Sequence, residues 1–382
     1  MFGIRAGICL FACLLLGGCY AAAWDREKLD YWSQQELSGE LFEALPELAD
    51  RDEVRVLVFG DSGKPSTFQT VASWMEKACG QDCDFALMLG DNFYLRGPSE
   101  SAPEEFERHF KEPLTQGGEG LRDLPYWAVL GNHGYVSLFA RPPSEPAVQL
   151  EYTNTQSPSD LPLWLMPAHQ YSIPRLPPWL TMVGFDSFFA SDPKSFKGSE
   201  LDYEEARDRY ISDLLDTAKA GQGWRVAFGH HPRLTIGDHA EGNYLRELPD
   251  MLKSALPLIY FSGHDHDQQL IEYGGLIQVV QGAASKTRAG QWGSERAEEY
   301  FEETLRPFYT EPGTPVSAQY CEKLGFAIAT FSEVRFNLTF YWGEEEDEEA
   351  QPGPNWSWKR NPDGSVEREG EPPGDDFTNL CP

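Results

Sequence analysis

The chain has 382 residues, 41% of them hydrophobic and 13% aromatic, enough apolar side chains for a large core and too many for a chain disordered throughout. Sixty-one acidic side chains against 31 basic ones leave a formal net charge of −30. A general nucleic-acid binder needs a basic face to displace counterions from phosphates, so this balance excludes that class while leaving room for a small local site of opposite sign.

Residues 1–19 read as a signal peptide. Arg5 is the one charge ahead of an apolar run, Ile8 to Leu16, that is too short to span a bilayer and leads into Gly17, Gly18 and Cys19. This arrangement resembles a bacterial lipoprotein signal, in which Cys19 becomes the lipidated mature N-terminus; the alternative is an ordinary secretory signal cut after one of Ala21 to Ala23. Both readings export the protein, to the periplasm or medium if it is not anchored, and the first attaches it to a membrane through its N-terminal lipid. Residues 24–53 form a lead-in. Once the signal is removed, Cys79, Cys83, Cys321 and Cys381 remain, an even number that suits disulfides in an exported chain. A local Cys79–Cys83 bridge and a Cys321–Cys381 bridge tying back the tail are one of the possible connectivities. A zinc site on the Cys-x-x-x-Cys pair is the rival reading, although the other two cysteines lack motif spacing.

From Val54 to about residue 280 a short β-branched or apolar run, a glycine-containing turn and a helix-compatible stretch alternate, which predicts an α/β fold. Strands are expected over Val54 to Phe59, Phe85 to Leu89, Trp127 to Leu130, Trp179 to Phe185, Trp224 to Phe228 and Leu258 to Phe261; most are unbroken apolar runs, as strands buried on both faces require. Helices are expected over about Thr67 to Ala78, Ala102 to Phe110, Leu201 to Lys219 and Tyr244 to Ala255. Leu95 to Pro125 and Arg141 to Pro178, rich in Pro, Ser and Glu, read as long surface loops that shape access to a site. After Gly275, the runs Leu276 to Val280, Phe326 to Phe331 and Phe336 to Trp342 read as consecutive strands closing the sheet. Residues 343–382 then carry 12 acids and 3 bases, including the unbroken acidic run Glu344 to Glu349. That composition reads as a solvated flexible tail or, alternatively, as a calcium- or partner-binding segment.

Short polar clusters fall at the carboxyl ends of successive strands. In order they are Gly60-Asp61-Ser62, Gly90-Asp91-Asn92-Phe93-Tyr94, Gly131-Asn132-His133, Gly229-His230-His231 and Gly263-His264-Asp265-His266. That edge of an α/β sheet is where sites form, and each glycine lets the chain turn sharply after its strand. One Gly-Asp is more often a turn or helix cap than a ligand. Together, the two Asp, one Asn and three His offer hard oxygens and imidazoles suited to two adjacent divalent or trivalent ions. His264 and His266, two apart in an extended segment, point to opposite sides and suit two neighbouring metals.

These blocks resemble those of the calcineurin-like metallophosphoesterases. Tyr94, three residues after Asp91, is similar to the iron-coordinating tyrosinate of the purple acid phosphatases, and a phenolate favours a hard, high-valent ion. The resemblance covers about residues 54–342 and implies an αββα four-layer sandwich of two mixed β-sheets flanked by helices. It also implies Fe(III) held by Asp61, Tyr94 and His266, Asp91 bridging, and a second ion, Fe(II), Zn or Mn, held by Asn132, His230 and His264. His133 and His239 would orient a small phosphorylated substrate and protonate its leaving group. The implied reaction is hydrolysis of phosphate monoesters by a metal-bound hydroxide; a phosphodiesterase or nucleotidase of the same fold is the near alternative.

Three positions depart from the family pattern: Ser62 replaces an aromatic residue, Gly134 an acidic one, and His231 a tyrosine. His231 is therefore either an extra substrate-contacting histidine or a packed one. His109 and His169 lack motif context and read as surface or structural. Phe59 to Ser62 also resembles the nucleophile block of GDSL-type esterases, but such enzymes need a late Asp-x-x-His, and His266 is the last histidine. A surface lipoprotein using the scaffold only for binding is the non-catalytic alternative.

Overall fold

The computed structural model describes residues 37–94, 97–98, 103–134, 146–191, 223–240, 256–288, 293–306, 316–370 and 377–381, with isolated positions between 210 and 221. The signal peptide with Cys19, most of the two helices expected over 201–219 and 244–255, and residues 141–145 lie outside the described residues.

Among the described residues, sixteen strands form two mixed sheets of eight. The first contains β1 (Glu53–Phe59), β2 (Phe85–Met88), β3 (Pro125–Ala128), β4 (Leu163–Leu165), β12 (Leu324–Ser332), β13 (Arg335–Gly343), β14 (Gln351–Arg360) and β15 (Val366–Glu369), in the order β15-β14-β13-β12-β1-β2-β3-β4. The second contains β5 (Gln170–Ser172), β6 (Leu180–Phe185), β7 (Trp224–Phe228), β8 (Leu258–Ser262), β9 (Gln268–Tyr273), β10 (Leu276–Gln281), β11 (Val316–Cys321) and β16 (Phe377–Asn379), in the order β16-β11-β9-β10-β8-β7-β6-β5. The run of β1, β2, β3 and β4 is parallel, as is that of β6, β7, β8 and β10, whereas β12 and β9 join antiparallel. Parallel neighbours carry all their C-terminal ends to one edge, which places the polar clusters side by side.

Apolar side chains explain the layering. Val56, Val58, Trp224, Phe261, Val279 and Phe326 fall in one core shared by both sheets. The outer face of the first sheet is covered by the helix Pro65–Ala78, whose buried Phe68, Val71, Ala72 and Met75 follow helical spacing. Ala297, Phe301 and Leu305, in and after the helix Ser294–Tyr300, pack on Ile271, Ala318 and Tyr320 beyond the second sheet. The result is the four-layer α/β sandwich with two mixed sheets.

Three expectations change. Leu276 to Val280 and Phe326 to Phe331 belong to different sheets, because β10 pairs with β8 and β9 while β12 pairs with β1 and β13. The helix expected over Ala102 to Phe110 is present, but it runs on to Gly117 and is followed by a second from Glu119 to Asp123 where a loop was expected, with Phe106, Phe110 and Leu114 buried at four-residue spacing. Pro113 reads as a breaker in sequence, yet it lies within this helical stretch, where the π-type turn Glu107–Lys111 meets the helix Glu112–Gly117. Within Arg141 to Pro178, the helix Pro146–Thr155 and strands β4 and β5 replace the expected loop.

The acidic segment is also not a free tail over its described residues. Trp74 Nε1 donates to the Asp347 carbonyl at 2.9 Å, and the chain then adds β14 and β15 to the first sheet and β16 to the second. Its described acids are exposed or part-exposed while Trp356 and Trp358 turn inward, so composition reports mostly the solvent side. Cys321–Cys381 closes that end, and Cys79–Cys83 forms the local bridge; all four cysteines are consumed, which removes the zinc reading of the pair. Trp358 stacks on Phe336 at 4.9 Å and donates to Glu272 of β9 at 2.6 Å. Trp358→Ala should therefore lower unfolding free energy by about 3–5 kcal/mol. Chemical denaturation checks this, and a loss within experimental error would show that β14 is an appendage.

Candidate metal centre

Five turns converge at the common edge. Asp61 follows β1, Asp91 β2, Asn132 β3, His230 β7 and His264 β8, so both sheets contribute. Asp61, Asp91 and His264 hold left-handed backbone angles, with φ of 58°, 48° and 73°. Residues with a Cβ rarely adopt that region, at a cost of order 1–3 kcal/mol each, and such strain persists where surrounding bonds impose it. The bonds are present: Asp61 N donates to the Gly90 carbonyl at 3.0 Å, His264 N to Asp61 Oδ2 at 2.8 Å, and His133 N to Asp91 Oδ1 at 3.0 Å.

The side chains form two sets. In one, the Tyr94 hydroxyl lies 2.8 Å from Asp61 Oδ1 and 3.0 Å from His266 Nε2, which is itself 3.3 Å from Asp61 Oδ1. In the other, Asn132 Oδ1 lies 2.9 Å from His230 Nε2 and 3.1 Å from His264 Nδ1, with those two nitrogens 3.2 Å apart. Asp91 stands by both: its Oδ1 is 3.5 Å from His230 Nε2, and Asp61, Asp91 and His230 offer ligand atoms within 4.8 Å of one another. Every metal-site residue expected from the sequence is thus in one of the two sets or beside them.

The donor chemistry fits cations. His230 Nδ1 lies 2.8 Å from the Leu89 carbonyl, which only accepts, so that nitrogen carries a hydrogen and Nε2 is the one turned to the set. Nε2 faces Asn132 Oδ1 and the Asp91 carboxylate, a gathering of oxygen and nitrogen atoms that a bound cation would draw together. The Tyr94 oxygen stands in a similar gathering with Asp61 Oδ1 and His266 Nε2. Metal–ligand bonds of about 2.1 Å at right angles put neighbouring ligand atoms about 3.0 Å apart, close to the spacing within each set. Burial pushes the Asp61 carboxyl up to about 7, with His230 opposing and Asp91 adding to the rise. Burial also raises the Tyr94 phenol, holds His264 well below the ordinary imidazole range, and lowers His266 to about 3, with Lys286 and Arg288 contributing. Neutral imidazoles are the ligand form of histidine.

The two histidines expected to meet substrate are the more open ones, His133 and His239 being 24% and 25% exposed at the side chain, whereas His230 and His266 are at 5% or less. His133 packs edge-on against Tyr94, and the His239 ring lies 4.2 Å from that of His264. His239 is oriented by a residue the sequence reading missed. Asp265, fully buried between the two histidine ligands, bonds His239 Nδ1 and its backbone N–H, each at 2.8 Å, and accepts from Thr235. Burial would lower the His239 pKa, but Asp265 reverses that and raises it.

The calcineurin-like phosphoesterase family model matches residues 54–268, the span that carries all five clusters. The chain belongs to this family. Among curated proteins, this family member is similar to tartrate-resistant acid phosphatase type 5 of Sus scrofa, 26% identical over 217 residues that cover 53% of this chain and 58% of that protein. It is also similar to purple acid phosphatase 17 of Arabidopsis thaliana, 26% identical over 318 residues that cover 80% and 85%. Against the first of these phosphatases the chain spans under two thirds of the relative's length. Its fold is shared with GAP50, the anchor in the inner membrane complex of Plasmodium, at a TM-score of 0.58 and 16% identity, covering 86% of this chain and 91% of that one.

The remaining histidines of this phosphoesterase chain resolve as buried groups. His109 Nδ1 lies 2.9 Å from the Gly63 carbonyl and braces the turn after Asp61, and His169 pairs with Asp186 at 2.9 Å, so neither is a surface residue. His231 is buried against Phe188 and His264. Ser187 Oγ accepts from the backbone N–H groups of His230 and His231, at 2.9 and 2.8 Å, so its single hydrogen goes to His231 Nδ1 at 2.9 Å. That leaves the His231 hydrogen on Nε2, and a ring nitrogen of this buried histidine lies within 4.8 Å of ligand atoms of His230 and His264. Ser62 is buried with its Oγ unbonded among the described residues, and no histidine engages it, which removes the serine-nucleophile reading.

Gly131 is required by close approach, since a Cβ there would overlap the Asp91 backbone nitrogen and carboxylate. Gly131→Ala should displace Asp91, lower stability by about 1–3 kcal/mol and cut bound metal well below the wild-type content. Elemental analysis and thermal melting check both, and full metal content in a normally folded variant would show that Asp91 tolerates the shift.

Proposed function

We propose that this calcineurin-like phosphoesterase is a purple acid phosphatase-like hydrolase of phosphate monoesters with a dinuclear centre. The observation that carries the reading is the pairing of two convergent ligand sets around Asp91, one containing Tyr94. Asp61, Tyr94 and His266 would hold Fe(III), and Asn132, His230 and His264 a divalent ion, iron, zinc or manganese, with Asp91 shared. When bound, two such ions supply an activated water and offset charge developing on the phosphoryl oxygens.

The chain's own residues do the rest. His133, part-exposed beside Tyr94, donates to a non-bridging phosphate oxygen, while the buried His231 packs behind His264 and supports that ligand. His239 delivers a proton to the departing alkoxide. Asp265 holds the His239 ring in place and favours its protonated form, the form a general acid must start in. The buried floor, Asp61 and Ser62 included, keeps bulk water from the ligand atoms.

His239→Ala should lower kcat about a hundredfold or more for aryl phosphates, and Asp265→Asn about tenfold or more through the loss of orientation. Both should retain metal, and the Asp265 variant should retain KM. Asp91→Ala should lose both metals and turnover, while Tyr94→Phe should bleach the visible absorption of the oxidised protein. Elemental analysis with aryl phosphomonoester and diester assays decides the reading. Two bound metals without hydrolysis of either ester class would favour the non-catalytic alternative, and a colourless protein without iron would remove Fe(III) alone.

Export with a lipid at Cys19 is inferred from the first 19 residues; no helix among the described residues is long and apolar enough to cross a membrane. The intact mass of membrane-extracted protein checks it: a diacylglyceryl-sized addition lost in Cys19→Ala is expected, and a soluble product starting near residue 24 would show plain secretion.

A further inference from the structure

Two cations stand at the centre of a chain whose net charge of −30 repels anions. Lys286 and Arg288 lie in the segment leaving the carboxyl end of β10, the edge on which the ligand clusters converge. That segment is fastened to the Asp61 turn: Ala284 N donates to the Gly60 carbonyl at 3.2 Å, and Ser285 Oγ donates to the Asp61 carbonyl while accepting from Lys64 N at 3.2 Å. The cations are therefore carried by a rigid strap, which lowers the entropic cost of presenting them to a ligand.

Lys286 Nζ lies 4.8 Å from the centroid of the Tyr94 ring and makes no ion pair among the described residues. The Tyr94 hydroxyl points at Asp61 and His266, so an ammonium over the ring face is offset from the ligand atoms and lies outside the cluster. Arg288 Nε sits 3.1 Å from Asp238 Oδ2, one residue before His239, at a side chain 28% exposed. The two charges stand near one another at the rim of the centre, Lys286 by Tyr94 and Arg288 by Asp238 next to His239, and their fields reach Asp61, Asp91, Tyr94, His239 and His266. Lys286 keeps its ammonium donors and Arg288 its terminal guanidinium donors for an anion.

Resting on the phosphoesterase reading above, we propose that Lys286 and Arg288 form an anion subsite beside the metal centre that binds a second acidic group of the substrate. The position expected for the scissile phosphate is already served by His133, His239 and the ligand cluster. The Tyr94 ring, whose hydroxyl is in the cluster, joins the two, so a group held by Lys286 would sit beside the centre rather than in it. The favoured substrate class is accordingly a phosphate ester or anhydride carrying a second phosphate or a carboxylate, in preference to simple aryl monoesters.

The test is calorimetric titration of the metal-loaded full-length protein with methylenediphosphonate and with inorganic phosphate, with metal content measured after each run. Wild-type protein should bind the diphosphonate about tenfold or more tightly than phosphate, and in Lys286→Gln and Arg288→Gln that preference should fall toward unity while phosphate affinity, metal content and Tm hold. Lys286→Arg, which keeps the charge, should retain it. Equal weakening for both probes would place the cations on the scissile phosphate, and no weakening would reduce them to charge balance for the carboxylates; either overturns the subsite. Diphosphonate preference in a protein that hydrolyses no phosphate ester would fail the hydrolase reading and leave the subsite standing, whereas turnover without the preference removes the subsite alone.

Discussion

The structure turns on one electrostatic constraint: two carboxylates, Asp61 and Asp91, are brought together in a water-poor pocket with lone pairs of imidazole, amide and phenol aimed alongside them. Burial and the neighbouring charge push Asp61 up to about 7, far from its ordinary range. Like charges in low dielectric repel strongly, so the arrangement needs positive charge at its centre. The strap carrying Lys286 and Arg288 supplies part of it, and cations held by the two sets would supply the rest. A centre so charged would oppose in sign the acidic surface around it.

Holding such a set together demands a frame that does not relax. Two sheets provide it, each ending its parallel strands at one edge, with a shared apolar core between them. The edge is tied across the sheets by the Ala284–Gly60 bond and by His264 N on Asp61, and within the second sheet by Gly263 N on the His230 carbonyl. Left-handed backbone at Asp61, Asp91 and His264 is the conformational cost of aiming those side chains inward.

Much of the centre was legible because a ligand placed directly after a strand leaves a local signature: an apolar run, a glycine, then the donor. Helpers were less legible. Ser187, which sets the His231 tautomer, follows β6 without a glycine and is 44 residues from its partner. Asp265 was visible only as the residue between two ligands, and its role depends on His239 folding back from 26 positions away. The continuation of the expected helix past Phe110 was obscured by Pro113, although Phe106, Phe110 and Leu114 carried the spacing. The acidic C-terminal segment misled for another reason: its acids lie before and after β14, which carries none, so a charge summed over the whole segment hides the alternation that turns Trp356 and Trp358 inward.

The sequence by itself determined the α/β class, the strands that bear the ligands, the residue types of both metal sets and the cysteine budget, since each is encoded within a few neighbouring residues. Tertiary structure alone decided which strands share a sheet, how the four cysteines pair, which way Ser187 and Asp265 turn their histidines, and that Lys286 stands over Tyr94. Those facts depend on contacts between residues tens to hundreds of positions apart, such as Ser285 on Asp61 at a separation of 224. Local pattern carries no information on such pairs until the core between the two sheets has closed and brought their edges together.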